Sequence, residues 1–180
     1  KTEYAAYKTA QTISDGKNKN AWCLHSTLPS SIEMQQPVVR NYLPPEWRNI
    51  GKVGQTTNVR WTDKGGFADQ VFILPNGSRT RFLNYSMDEK VFEGGELDLI
   101  WADELIGYEL VKTLRYRIVT RSGKLLITFT PVKGYTMTVK EYLAGSKVIE
   151  SRPAELLEQD RIHVPGCKPG EMPYILESRS

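Results

Sequence analysis

The chain has 180 residues, 39% hydrophobic and 25% charged, which suits one ordinary domain with a buried core and excludes a wholly disordered chain. Twenty-four Lys and Arg against 21 Asp and Glu give a net charge of +3, which permits a nucleic-acid partner without demanding one. No apolar run approaches the roughly 20 residues of a spanning helix, the first twenty residues lack the apolar middle of a secretory signal, and two cysteines cannot build a disulfide framework, so the expectation is a soluble intracellular protein with no membrane partner.

No internal repeat or low-complexity tract is present, and helical and strand patterns alternate, as expected of an α/β fold. Ala5, Ala6, Thr9, Ala10 and Ile13 recur at the three-and-four spacing of a helix over 2–14, stopped by Asp15-Gly16. Ala21 to His25 reads as a short buried strand. Ser30 with Glu33 predicts a capping box opening a helix that carries Ile32, Val39 and Leu43, broken at Pro37 and ended by Pro44-Pro45. Thr57, Val59 and Trp61 alternate as a strand. Asn76-Gly77 between Val71–Leu74 and Thr80–Leu83 predicts one β-hairpin near residues 70–85.

Leu97 to Ala102 reads as a further buried strand, and 105–118 as a helix with Leu105, Tyr108, Val111, Leu114 or Arg115, and Ile118 along one face. Lys124 to Phe129 is apolar enough to be central in a parallel sheet. A short helix is expected over 138–144. The stretch 151–180, with four prolines and little periodicity, reads as a loop-rich linker or domain end after a domain spanning 1–150.

Asp103-Glu104 is the most informative pair, because it closes a predicted strand where ligands of open α/β sheets bind. One carboxylate there can hold hydrated magnesium while the other orients and deprotonates water. The same pair would also cap the following helix. Lys1-Thr2 opens a helix as the end of a phosphate-binding loop does, though a chance dipeptide gives the same pattern. Thr128-Phe129-Thr130-Pro131 closes the strand one helix after the acidic pair, so the two strands should be neighbours. Cys23 and His25 on one strand, with His163 and Cys167 far away, lack the paired spacing of a zinc site. Arg79, Arg81, Arg115, Arg117 and Arg121 are available to neutralise phosphoryl charge, and the sequence does not choose among them.

Taken in order, Lys1-Thr2, the strand ending in Asp103-Glu104, and Thr128 to Pro131 followed by Lys133-Gly134 resemble the ATPase domain of the tailed-bacteriophage terminase large subunit. The stretches 75–85, 94–99 and 123–128 extend the resemblance over roughly 1–145. It implies a P-loop NTPase-type, mostly parallel central sheet flanked by helices, with the chain starting inside the Walker A loop as a fragment. It implies ATP as substrate and Mg2+ as cofactor, with Lys1 on phosphates and Thr2 and Asp103 on the metal. Glu104 would be the catalytic glutamate, and Thr128 to Thr130 the motif that couples nucleotide state to DNA movement. The implied partners are double-stranded DNA, a portal protein and a small terminase subunit. The implied assembly is a homo-oligomeric ring on the capsid in the host cell cytoplasm, with a C-terminal nuclease domain beyond this chain. A helicase-like translocase and a non-catalytic DNA- or protein-binding fragment are the alternatives.

Overall fold

The apolar runs of the sequence assemble into a seven-stranded mixed sheet in a computed structural model that describes residues 1–130, 136–139, 146–153 and 171–178. Its strands are β1 (Asn20–His25), β2 (Gly51–Val53), β3 (Thr57–Val59), β6 (Val71–Ile73), β7 (Arg79–Asn84), β8 (Leu99–Asp103) and β9 (Lys124–Thr128). Two small strands outside it, β4 (Trp61–Thr62) and β5 (Gly66–Phe67), pair with each other. The sheet order is β2-β3-β6-β7-β1-β8-β9. Strands β7, β1, β8 and β9 run parallel, and β6, β3 and β2 continue the sheet antiparallel. The chain is therefore α/β, with helices on both faces of a sheet whose parallel part carries the site.

Helix α1 (Thr2–Asp15) buries the five residues that its spacing marks: Ala5, Ala6, Thr9, Ala10 and Ile13. Three alanines on that stripe let the helix axis approach the sheet closely, and the Thr9 hydroxyl donates back to the Ala5 carbonyl at 2.8 Å. Under α1 lie Ala21 and Cys23 of β1, Phe82 of β7, and Leu99 and Trp101 of β8, all almost fully buried. Burial pushes the Cys23 thiol up from its ordinary range, so it packs as an inert small hydrophobe.

The second helical segment departs from expectation at both ends of its first turn. Thr27, rather than Ser30, caps it: the Thr27 hydroxyl accepts from the Ser30 N–H at 3.3 Å, and α2 (Leu28–Ser30) begins there. A π-helical turn over Ser31–Gln35 then absorbs the break before α3 (Gln36–Tyr42), where Pro37 sits in the first turn and needs no N–H partner. Its inward face is partly polar. Gln35 Nε2 donates to the Leu24 carbonyl at 3.1 Å, and Gln36 Oε1 accepts from the Phe67 N–H at 2.9 Å.

The hairpin of β6 and β7 forms as the Asn76-Gly77 signal requires, with Gly77 at φ +81. Helix α4 (Tyr108–Val119) starts three residues later than its apolar pattern suggests, with Gly107 at its N-cap, and buries only Val111 and Leu114. Strand β9 corrects a second expectation. It pairs with β8 as predicted, yet it is the edge of the sheet, and its residues after Lys124 are half-buried. An apolar run marks a strand that faces helices, and a one-sided neighbour satisfies that pattern too.

Two compact units divide the chain, Lys1–Thr130 and Pro131–Ser180. Within the second unit β10 (Ser146–Pro153) and β11 (Glu171–Ser178) pair antiparallel, and residues 137–139 are helical. The rest of the helix expected over 138–144, together with His163 and Cys167, lies outside the described residues. Among the described residues no helix is long and apolar enough to cross a membrane.

Candidate functional site

Asp103 is the last residue of β8 and pairs in register with Thr128, the last residue of β9. Parallel pairing brings both carboxyl ends to the same level, so two residues 25 apart in sequence become neighbours. The Thr128 hydroxyl donates to Asp103 Oδ1 at 2.6 Å and accepts from the Trp101 indole N–H at 2.8 Å. Trp101 is fully buried, so this short chain of bonds runs from the core to the sheet end. It fixes the Asp103 carboxylate, which is itself only 8% exposed.

Two residues that the sequence did not single out for the site complete the surroundings of Asp103. His25, at the end of β1, is buried, and its Nε2 stands 3.8 Å from Asp103 Oδ2. The Ser26 N–H donates to His25 Nδ1 at 2.9 Å, which places the proton of the neutral ring on Nε2, facing the carboxylate. Tyr85 directs its hydroxyl at the Asp103 carbonyl at 2.6 Å, with the Leu24 carbonyl at 3.2 Å as a second acceptor. Burial first, and then the charges of Asp103 and Glu104, push the Tyr85 phenol well above its usual range, so it remains a donor. The signal for His25 was its place as the polar last residue of an otherwise apolar strand. Tyr85 had none, because it follows β7 in a turn.

Glu104 differs sharply from its neighbour. Its φ is +79, a left-handed conformation uncommon for a residue with a Cβ, and its side chain is exposed. The Glu104 N–H donates to the Thr128 carbonyl at 2.7 Å, which anchors the reversed backbone to β9. One carboxylate is thus fixed in the sheet end and the next is turned out to solvent beside it. Strain of this kind persists where the surroundings overdetermine it, and such positions concentrate at functional sites.

The amino terminus of α1 arrives at the same end. Lys1 Nζ donates to the Thr130 hydroxyl, two residues beyond β9. Thr2 is the first residue of α1, half-buried, and Lys1 occupies the N-cap with no side-chain capping bond of its own. Residues 1, 103, 104, 128 and 130 therefore meet at the carboxyl end of β8 and β9. Phe129 between the threonines is half-buried.

The arginines are distributed differently. Arg121 bonds Asp98 at 3.1 Å and Glu96 at 3.4 Å, at the amino end of β8. Lys19 joins the same Asp98 at 2.9 Å, and the Asn20 N–H adds a third donor at 2.8 Å. Desolvation opposes the Asp98 charge, but the Asn20 N–H, Lys19 and Arg121 together hold its carboxyl below the usual range. Arg79 and Arg81 lie in the amino half of β7, opposite Asn20 and Trp22 of β1. Arg115 and Arg117 are in the later half of α4. The amino ends of the strands thus hold Arg79, Arg81 and Arg121, away from Asp103.

Among the described residues no three His, Cys, Asp or Glu side chains cluster as a metal site. Asp103 Oδ1 is engaged by Thr128, whereas Oδ2 faces His25 from beyond hydrogen-bonding range and keeps accepting capacity. A single fixed carboxylate suits magnesium, which takes most of its ligands from water and substrate phosphates, better than it suits calcium or zinc. No protein-family model matches the chain, and no curated protein matches it.

Proposed function

We infer that the carboxyl end of β8 and β9 is the hydrolytic half of a P-loop-type nucleotide site, and that the chain belongs to the motor of a DNA-packaging terminase. The convergence of Lys1 with Asp103-Glu104 and Thr128 to Thr130 carries this reading: parallel pairing of β8 and β9 accounts for Asp103 meeting Thr128, and the Lys1 bond to Thr130 adds a phosphate-binding cation to that sheet end. Lys1 at the start of α1 offers an ammonium and a helix N-terminus to phosphate oxygens. Asp103 and Thr2 are the residues that would hold magnesium, whose chemistry is to neutralise phosphate charge. Glu104, exposed and with its backbone N–H held by the Thr128 carbonyl, would orient a water and take its proton.

Coupling follows from the same bonds. Thr128, which binds Asp103, ends β9, and Thr130, which binds Lys1, lies two residues beyond it, so a change at the phosphates reaches the end of one strand through two contacts. Arg79, Arg81 and Arg121 lie at the other end of the sheet, so among the described residues they are not placed to neutralise phosphoryl charge beside Asp103. Work would be done on double-stranded DNA, with the portal and small subunit as partners, in the host cell cytoplasm.

The test is Mg-ATP turnover by the full-length protein and by Glu104→Gln. A positioned general base contributes about 10²–10⁴ in rate. The variant should lose turnover by that factor and retain ATP binding. Equal turnover in the two removes Glu104 from the chemistry, and absence of ATP binding in both removes the reading altogether. Strand separation coupled to turnover would transfer the assignment to a helicase-like translocase.

A further inference from the structure

A second concentration of charge lies at the opposite end of the parallel strands. Arg79 and Arg81 are two apart on β7, so they share one face at about 6.6 Å separation along the strand. Thr80 and Phe82, which alternate with them, are buried toward α1. The arginines therefore face the other side of the sheet. There Lys90, Val91 and the loop through Gly94-Gly95 line, with the two arginines, a half-open cleft of about 420 Å³.

The lining combines three cations with an apolar floor. Arg79, Arg81 and Lys90 stand around the cleft, while Trp22 and Val91 supply carbon surface. Trp22 is 5% exposed and held edge-on against Phe92 at 6.3 Å between ring centres. Among the described residues, none of the three cations has an ion pair or side-chain hydrogen bond. Their neighbours Lys19 and Arg121 are both paired to Asp98. Among the described lining residues Glu96 is the carboxylate, and Arg121 engages it at 3.4 Å. Like charges gathered in a concave site repel one another, and an anion relieves that repulsion. The volume lies in the range of small-molecule sites.

We propose that this cleft binds a small phosphorylated ligand, with Arg79, Arg81 and Lys90 on the phosphate oxygens and Trp22 with Val91 under its apolar part. Paired arginines suit a phosphate group because the guanidinium presents two parallel N–H donors. The site goes beyond the ATPase reading and stands without it, since it shares no residue with Lys1, Asp103 or Glu104.

The experiment is titration of the full chain with phenyl phosphate, followed by calorimetry and by tryptophan emission. One saturable site is expected, with an emission change that Trp22→Phe abolishes. Arg79→Gln and Arg81→Gln should each weaken binding at least about tenfold, since a charge-assisted bond is lost in each. Their thermal melts should equal or slightly exceed the parent's, because neither side chain has a partner to lose and each removes a like-charge repulsion. Asp103→Asn should bind as the parent does, which separates this site from the nucleotide reading. Lys52→Gln/Lys64→Gln removes two exposed charges elsewhere and should also leave binding intact. The proposal is overturned by absence of saturable binding, or by an equal loss in the Lys52/Lys64 variant. Binding of a short DNA duplex without phenyl phosphate binding would overturn it too, marking an open nucleic-acid track instead of a pocket.

Discussion

Replacing Thr128 by valine tests the bond chain that fixes Asp103, since valine keeps the shape and removes the hydroxyl. Two bonds vanish together. The Trp101 indole N–H, fully buried, loses its acceptor at 2.8 Å, and an orphaned buried donor costs about 1–3 kcal/mol. The charge-assisted bond to Asp103 at 2.6 Å goes as well, worth about 1.5–3 kcal/mol before water at the sheet end replaces part of it. A net loss of about 2–4 kcal/mol is expected. Thr128→Ser keeps the hydroxyl and loses one methyl, so about 1 kcal/mol is expected there. Urea denaturation of both variants gives the comparison, with an unchanged m-value showing that the difference is one of stability. If valine and serine fall within about 0.5 kcal/mol of each other, the Thr128 hydroxyl does not hold the sheet end together, and the account of Asp103 positioning fails.

The strained backbone at Glu104 makes a second prediction: Glu104→Gly should stabilise the fold by about 1 kcal/mol while Glu104→Gln leaves stability unchanged, as denaturant midpoints would show. At Gly123 an added Cβ would lie 2.3 Å from the Leu97 carbonyl oxygen, so Gly123→Ala should cost about 1–3 kcal/mol by the same assay. Asp98 predicts a pH dependence. Its folded carboxyl titrates below the unfolded value of about 3.9, so its contribution is complete above that pH and is lost as pH falls through the folded value. Thermal melts from pH 6 down to pH 2 should therefore decline less steeply in Asp98→Asn than in the parent.

Patterns that depend on one element were legible in the sequence, and those that depend on a neighbour were not. The stripe Ala5 to Ile13 and the Asn76-Gly77 hairpin follow from local periodicity and turn chemistry, and both formed as read. The adjacency of β8 and β9 also followed, because a helix joins them. The edge position of β9 did not, since the same apolar run fits a strand with one neighbour or two. Ser30 with Glu33 matched the capping pattern, yet Thr27 was three residues earlier with its own hydroxyl free to accept.

At the site, Asp103 and Glu104 were visible as a pair, but not their division into one buried and one exposed carboxylate. That division comes from a positive φ fixed by a bond to β9. His25 and Tyr85 reach Asp103 only through sheet register, which no local pattern encodes. Arg79 and Arg81 drew attention as possible phosphoryl partners, and the strand direction puts them at the opposite end.

Hydrogen–deuterium exchange of full-length Glu104→Gln with and without Mg-ATP most directly tests whether the carboxyl end of β8 and β9 is the nucleotide site. The account predicts slowed exchange at residues 1–5, 103–106 and 128–130, with the Arg79 and Lys90 region unchanged. Protection confined to residues 79–97, or no protection anywhere at saturating Mg-ATP, would contradict it.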